Sequence, residues 1–595
     1  MKIQVQGFDQ VIDYDPSSGQ TLYDCLVDAG LPVPGDCGGQ GTCGKCRFKC
    51  LAGEVSLDSY QGSQDASFPL ACQARPQTDL SLAFLNLEKG HRILVSGDRP
   101  ALHGPKRWRQ ATVSLERKRL EEARDLDSSL AEELGVDPFP AQVWRGLPIQ
   151  RQQSYRAVIC DKQLLALEVQ PEDPSIYGLA VDIGTTTLAA SLVNLETGEE
   201  VSQATALNPQ IQQGADVLSR ISYVMKEGER GLKRLQQAIR RAIQDLIEDL
   251  SQAAACQAKS IYGLSLAGNT VMTHLALGID PSLLGQSPYL PIFRSGQKLS
   301  AQAFGLRKLP PSAQVMTLPA VSAYIGSDVV AGAYAAGLSQ KGGRRLLIDI
   351  GTNGEMVLQD GEAYVSCSCA AGPALEGMMI SSGMKAANGA IEECQWKEGQ
   401  FELQVIGEGP AQGICGSGVL AIIREALRAE LINYRGRIVD PDALAPDDCR
   451  RPYLKVDTQG KRYLAITDQI RLTQHDIRQV QLAKGAIRSG IEVLLEASQL
   501  EPQEVDQVLV AGQFGRHLAE ASLLATGLLP QAFAGRLSYI GNSSHSGAYL
   551  HLMDRQAAQG LEDLAHAIDY IELSRLDNYD RVFARASLFP RIKRK

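Results

Sequence analysis

Positive charge is what this chain lacks: 59 lysines and arginines face 68 aspartates and glutamates over 595 residues, a net charge of −9. No global basic field is present to hold nucleic acid or anionic lipid, so neither is expected as a partner. A long uncharged apolar run is missing too. The best stretch, residues 261–279, is broken by Asn269, Thr270 and His274, and the opening Met1-Lys-Ile-Gln-Val has no apolar leader core. The expectation is a cytoplasmic protein without a membrane span. Proline (27) and glycine (56) are not in excess, which excludes a collagenous or mainly disordered chain. Cysteine is too sparse for a disulfide scaffold, 13 in all and an odd number, yet Cys37, Cys43, Cys46 and Cys50 crowd into one stretch. That clustering points to metal chemistry.

At roughly 150 residues per domain, this length predicts about four units. Residues 1–88 open with alternating residues around Ile3 and Val11, which suits a hairpin, followed by a short helix from Thr21 closed by Gly30. A Gly/Cys loop from Gly35 to Cys46, a strand from Arg47 and a last cysteine at Cys72 complete a small domain. Residues 89–109 hold Gly97, Pro100, Gly104 and Pro105 without an apolar period and read as a linker. Residues 110–175 read as a small α+β middle domain, with a charged helix around Leu120 to Leu134 and strands from Tyr155 and Leu164. Residues 176–595 alternate strands and helices; Leu232, Leu235, Ile239, Ile243, Leu246 and Leu250 mark one core-facing helix.

The cysteines Cys37, Cys43, Cys46 and Cys72 have the spacing C-x5-C-x2-C-x25-C. A [2Fe–2S] cluster needs four thiolates converging on two irons, and a glycine-rich loop permits tight turns with backbone N–H groups near the sulfurs. Zinc is the competitor, but structural zinc sites usually present two C-x2-C knuckles, and one occurs here. The segment resembles [2Fe–2S] ferredoxins, nearest the branch with a five-residue first gap. By that resemblance Cys37, Cys43, Cys46 and Cys72 are the ligands of a β-grasp domain. Cys25 and Cys50 stay outside the ligand set, Cys50 as a small core residue. The string from Gly39 to Lys45 imitates a phosphate loop, but Cys46 stands where Mg²⁺ needs a hydroxyl.

An internal repeat organises the large C-terminal segment. Gly178-Leu-Ala-Val-Asp-Ile-Gly-Thr-Thr-Thr-Leu188 is echoed by Arg345-Leu-Leu-Ile-Asp-Ile-Gly-Thr-Asn-Gly-Glu355, each an apolar strand, an Asp-Ile-Gly-Thr turn and a second strand. Turn N–H groups and threonine hydroxyls can hold phosphate oxygens while the carboxylate orients a hydrated Mg²⁺. One copy would be an ordinary hairpin; two matched copies, with Val508-Leu-Val-Ala-Gly-Gln-Phe-Gly515 downstream, predict two related lobes around a nucleotide. The set resembles the actin, sugar-kinase and heat-shock-chaperone ATPases, a two-lobed, ribonuclease H-like fold. That resemblance makes Asp182 to Thr187 a first phosphate loop, with Gly184, Thr185 and Thr186, and Asp349 to Glu355 a second, with Gly351, Thr352 and Asn353. The same resemblance implies that Gly512, Gln513 and Gly515 form the adenosine loop and that Mg²⁺ would sit near Asp182 and Asp349. Gly268 and Asn269 are candidates to approach the γ-phosphate. Glu355 is a candidate base for water, the alternative being a solvated strand-end carboxylate. His274 reads as a packed residue, and Gly413 to Gly418 as either an anion-binding helix start or a tight strand–helix turn. No dinucleotide fingerprint and no Ser/His/Asp elbow are visible.

A low-potential one-electron centre fused to an ATP clamp suggests ATP-driven electron transfer. Such a centre works near about −400 mV, and each further 100 mV uphill costs roughly 2.3 kcal/mol per electron. The whole order resembles the reductive activators of corrinoid proteins, together with Asn208-Pro-Gln, Gly214 to Ile221, Ala267-Gly-Asn-Thr and Gln481-Leu-Ala-Lys-Gly-Ala-Ile. What it implies is an enzyme that returns the Co(II) corrinoid of a methyl-transfer protein to Co(I) with ATP hydrolysis. A low-potential electron donor and a homodimer built through the middle and ATPase domains follow from the same resemblance. Two other functions remain open: an ATP-coupled donor to another low-potential enzyme, such as a dehydratase-type activator, or a redox-sensing ATPase or chaperone.

Overall fold

The computed structural model describes all residues except 7–10, 30, 32, 34–38, 40–45, 58–67, 85–100, 115–124, 139–140, 145–153, 170–173, 341, 513–517 and 592–595. Cys37, Cys43, Gln513, Gly515 and most of the expected linker lie outside the described residues. Two compact units form, one of Met1–Arg92 with Pro209–Gly231 and the other of Ile93–Asn208 with Leu232–Lys595.

In the first unit, β1 (Lys2–Val5) and β2 (Val11–Asp13) pair antiparallel as the alternation predicts, burying Ile3, Val5 and Ile12. Helix α1 (Leu22–Asp28) starts at a Thr21/Asp24 capping box and buries Leu22 and Leu26. With β3 (Phe48–Ala52), the β4–β5 pair (Val55–Leu57, Ala74–Pro76) and β6 (Leu80–Phe84), the sheet order is β2-β1-β6-β3, with β1 and β6 parallel. This mixed sheet sharing one core with a helix is the β-grasp arrangement.

The second unit begins with the sheet β7–β8–β9 (Trp108–Ser114, Ser154–Cys160, Gln163–Glu168) and α2 (Leu126–Leu134), which bury Val113, Leu130, Tyr155 and Ile159 together. Trp108, at the end of the linker read from the sequence, opens β7, buried, with its Nε1 donating to Leu552 O at 2.7 Å. Arg107 beside it pairs with Asp161 at 3.0 Å.

Each Asp-Ile-Gly-Thr repeat is the tip of an antiparallel hairpin. In the first lobe β10 (Tyr177–Ile183), β11 (Thr187–Asn194) and β12 (Glu200–Leu207) are followed in the chain by α3 (Val217–Ala253), broken at Gly228, which belongs to this unit from Leu232 onward. Next come β13 (Ile261–Gly268), α4 (Thr270–Leu277), β14 (Lys298–Ser300), β15 (Gln314–Thr317) and α5 (Ser327–Ala335). The sheet order is β12-β11-β10-β13-β15-β14. In the second lobe, β16 (Arg344–Ile350), β17 (Gly354–Asp360) and β18 (Ala363–Cys369) repeat the three-strand start. An insertion follows, with β19 (Ala390–Lys397), β20 (Gln400–Val405) and β21 (Gly413–Ile414), α6 (Gly416–Arg428), and β22 (Leu454–Val456), β23 (Arg462–Ala465) and β24 (Arg471–Thr473). Then α7 (Gln474–Ala497), β25 (Gln507–Ala511), β26 (Leu537–Gly541), α8 (Ser543–Met553), β27 (Ile568–Tyr570) and α9 (Tyr579–Ala586) close the chain.

The second sheet runs β26-β25-β16-β17-β18-β27. Leaving the insertion strands out of the count, each lobe sets its third, second, first and fourth strands side by side, the fourth parallel to the first, and adds one more parallel neighbour, β15 in the first lobe and β26 in the second. This duplication is the two-lobed actin-like architecture. Helices α5 and α8 pack on each other, and α8, which leaves the second sheet at β26, lies against β10 and β13 of the first. Gly332 permits that crossing: a Cβ there would lie 2.6 Å from the Ser543 hydroxyl. No helix among the described residues is long and apolar enough to cross a membrane.

Candidate cluster and nucleotide sites

Two cysteines of the loop come together. Cys46 precedes β3 and Cys72 lies in the turn before β5; both are buried, and their sulfurs are 3.3 Å apart, with no disulfide joining them. Backbone bonds fix the approach, Ala71 N to Cys46 O at 2.9 Å and Phe48 N to Pro69 O at 3.0 Å. Two soft sulfur donors this close, in a shielded place, fit half of a four-thiolate cluster site. Gly39 turns with φ 86° where a Cβ would strike the Tyr23 ring at 2.9 Å. Cys50 instead reaches the carbonyl of Gly53 at 3.2 Å, and Cys25 is buried, its thiol pushed up by loss of solvation. Cys50 is half-buried at the edge of the core rather than the buried core residue expected from the sequence.

The two hairpin tips are built alike. Gly184 N donates to Thr187 O at 2.9 Å, and Gly351 N to Asn353 O at 2.9 Å. Asn208 braces the first tip, its N–H on Thr186 O and its amide on Gly184 O, both at 2.8 Å. Asn269 caps α4 by accepting Met272 N–H at 3.0 Å and donates its own amide to the Thr185 hydroxyl at 3.2 Å. Gly268 sits beside α5, its N–H on the Ser327 hydroxyl at 3.1 Å. In the second tip Thr352 donates its hydroxyl to Glu376 at 3.0 Å. Gly512, directly after β25, has φ 94°, and a Cβ there would lie 2.7 Å from Asp349 Oδ1, so the chain leaving β25 starts directly against the second Asp-Ile-Gly-Thr tip.

Four half-buried carboxyls share this region: Asp182 and Asp349 at the strand ends, Glu355 on β17 and Asp328 in the first turn of α5. Burial and then Asp182 push Asp349 up to about 6; burial and then Asp182 and Asp349 push Asp328 up to about 7. Glu355 is raised well above the carboxylate range by burial, with Asp328 and Asp349 adding to it and the Asn353 side chain opposing. The Asp182 carboxyl is raised by burial and held back by donors from Ser544 and Asn542. The charged groups acting on Asp349, Asp328 and Glu355 are all acidic, an arrangement that a cation relieves. Among the described residues no three His, Cys, Asp or Glu side chains converge for direct metal coordination.

Asp182, Gly184, Thr185, Thr186, Gly268 and Asn269 thus form one neighbourhood, and Asp349, Gly351, Thr352, Asn353, Glu355 and Gly512 a second, electrostatically joined to it. Glu355 is not the solvated strand-end carboxylate of the alternative reading. Asp328, Asn542 and Ser544 escaped sequence reasoning; a signal for Asp328 is its place at a helix start after Gly326, whereas Asn542 and Ser544 read as a polar turn. His274 is wholly buried, Nδ1 donating to Thr270 O at 2.7 Å and Nε2 accepting Ile292 N–H, a packed neutral ring. The Gly413 to Gly418 segment is buried, with the Cys415 thiol on Ile391 O at 3.2 Å, the geometry of a tight strand–helix turn.

Comparison with known proteins places the chain in a family. A curated relative, the corrinoid activation enzyme RamQ of Eubacterium limosum, is 32% identical over 426 residues, covering 70% of this chain and 71% of that one. The chain belongs to the RACo family. Family models match in order: a 2Fe-2S iron-sulfur cluster binding domain at residues 5–77, the RACo middle region at 177–341, and the C-terminal domain of RACo, its ASKHA domain, at 344–595. The middle-region model therefore covers the first lobe, and residues 110–175 lie outside all three. A [Co(II) methylated amine-specific corrinoid protein] reductase of Methanosarcina barkeri is 25% identical over 69% of this chain and 76% of its own. A solved structure of a reductive activator for corrinoid, iron-sulfur protein matches 99% of this chain and 98% of its own with a TM-score of 0.71 and 29% identity. A [2Fe–2S] cluster, ATP and Mg²⁺ are the cofactors that these domains imply.

Proposed function

We propose that this protein is an ATP-dependent reductive activator: it delivers one electron to the Co(II) corrinoid of a methyl-transfer protein, regenerating Co(I), and hydrolyses ATP in doing so. The observation that carries the reading is the coexistence, in one RACo-family chain, of a buried thiol pair in a ferredoxin-type domain and of two facing Asp-Ile-Gly-Thr hairpins. In this reading residues 1–88 carry the cluster, 89–109 link, 110–175 form a middle domain and 176–595 form the ATPase. A homodimer and a separate low-potential electron donor belong to the same reading.

When bound, the cluster supplies a one-electron carrier of low potential, and MgATP the free energy to use it. Cys46 and Cys72, with Cys37 and Cys43, are assigned as its thiolate ligands. The Gly184–Thr186 and Gly351–Asn353 turns hold phosphate oxygens with N–H and hydroxyl groups, Gly268 and Asn269 approach the terminal phosphate, and Gly512, Gln513 and Gly515 hold the adenosine. Asp182 and Asp349 orient the waters of Mg²⁺. Glu355 is the candidate base for the attacking water, a role it could take only once a bound cation offsets Asp328 and Asp349 enough to ionise it, and Asp328 is the second carboxyl placed for that task.

The test is anaerobic visible spectroscopy of a Co(II) corrinoid methyl-transfer protein from the same genome with reductant and this chain, before and after MgATP. The Co(I) band is expected after ATP and not before. No Co(I) with any such partner, while the cluster reduces and ATP turns over, would overturn the corrinoid assignment.

A further inference from the structure

Both oxygens of the Asp182 carboxylate are engaged by one helix end. Asn542 donates its amide to Oδ2 at 3.0 Å and Ser544 its hydroxyl to Oδ1 at 2.8 Å. Asn542 is also the cap of α8, its Oδ1 accepting His545 N–H at 3.0 Å, so one buried side chain starts the helix and orients the carboxylate. The helix is fixed in turn. His545 Nε2 meets the Ser191 hydroxyl of β11 at 3.0 Å, and His551 Nδ1 meets the Ser265 hydroxyl of β13 at 2.8 Å. Ser543, between the two donors, is the residue that Gly332 of α5 abuts.

We propose that Asn542 and Ser544 are positioning residues for MgATP: from the start of α8 they hold the Asp182 carboxylate in the orientation that receives the waters of the bound Mg²⁺. The inference rests on the reading of Asp182 as a phosphate-loop carboxylate. A carboxylate on a free rotamer would have to be ordered by the ion. Here each oxygen already accepts one protein hydrogen bond, keeps a second lone-pair direction and cannot turn without breaking both bonds. The donors come from a helix that is rooted in β26 of the second sheet, so the setting of Asp182 on the first sheet depends on where α8 starts. A purely structural role predicts something else, a loss of stability indifferent to Mg²⁺.

Calorimetric titration of ATP into the full-length holoprotein, with Mg²⁺ and with EDTA, separates the two. Ser544→Ala, which deletes one oxygen, is expected to lose about tenfold of the affinity gained from Mg²⁺, the size of effect that partners of metal-orienting groups have. Its Mg²⁺-free affinity and cluster absorption are expected to stay those of the wild type, while its thermal midpoint falls modestly because the buried carboxylate loses one donor. Asn542→Asp keeps the cap acceptor but sets a carboxylate against Asp182, and is expected to lose more. Wild-type MgATP affinity in Ser544→Ala, or an equal loss with and without Mg²⁺, would overturn the inference. If the wild-type protein itself gained nothing from Mg²⁺, the reading of Asp182 would fall with it; a wild-type gain with an unaffected variant would sink the positioning role alone.

Discussion

The sulfurs of Cys46 and Cys72 lie 3.3 Å apart although 26 residues separate them in the chain. Backbone bonds on both sides of the pair set that approach, so it is a property of the folded domain rather than of loop chemistry. Cys72→Ser is therefore expected to fold, to retain MgATP binding in the other compact unit, and to lose the visible absorption and paramagnetic signal of the reduced cluster. Retention of a wild-type spectrum would remove Cys72 from the ligand set.

Asp182 and Asp349 stand at equivalent strand ends of the two lobes, and burial, with Asp182 adding to it, raises the Asp349 carboxyl. Replacing either by asparagine keeps the shape and deletes the charge. Each variant is expected to lose ATP-driven Co(I) formation by about 100-fold or more, the scale on which preorganised electrostatic groups act. The cluster spectrum should be untouched. Wild-type turnover in both variants would show that these hairpins are not the phosphate loops.

Gly512 separates a conformational effect from a contact. Its φ of 94° is left-handed, and a Cβ would lie 2.7 Å from Asp349 Oδ1; Gly535 has φ 72° and nothing within 4 Å of a Cβ. Alanine at either position pays the backbone strain, about 1–2 kcal/mol. Gly512→Ala alone must also displace the Asp349 carboxylate. Both variants are expected to lower the thermal midpoint, and Gly512→Ala alone to weaken ATP binding, measured by titration. Equal nucleotide affinities in the two variants would contradict the contact.

Those hairpins were legible because they are local. Asp182 to Leu188 and Asp349 to Glu355 carry strand, turn and strand in one short string, and duplication made the string visible. The cysteine spacing was legible for the same reason. Asn542 and Ser544 were not, since they meet Asp182 across 360 and 362 residues of chain, and in the string Asn542-Ser-Ser-His-Ser-Gly547 nothing tells a helix cap from a carboxylate clamp. Asp328 was missed because its chemistry comes from neighbours supplied by other strands. Trp108 shows the limit at a boundary: a single aromatic among prolines and arginines has no period, and its burial depends on Leu552, 444 residues away.

Lys484, in the Gln481 to Ile487 string that fits the family, is wholly buried, with Nζ donating to Ala586 O at 2.5 Å and Leu588 O at 2.6 Å. Burial drags its ammonium down to about 7, with Arg488 adding to the effect and Glu492 opposing it. The sign follows from proton counting. The unfolded chain keeps the Lys484 proton up to about pH 10.4, whereas the folded chain releases it above about 7. Between those values the unfolded state binds more protons, so this residue makes stability rise with pH, by at most about 1.4 kcal/mol per unit. Its unfavourable contribution is complete below about 7 and gone above the unfolded value. Lys484→Met removes the buried ammonium but leaves the Ala586 and Leu588 carbonyls without a donor, two effects of opposite sign. Its thermal midpoint relative to the wild type should fall from pH 7 to pH 9, because the wild-type protein gains over that range and the variant does not. A difference that stays constant across that range would show that Lys484 keeps its proton in the folded protein, held by its two carbonyl acceptors.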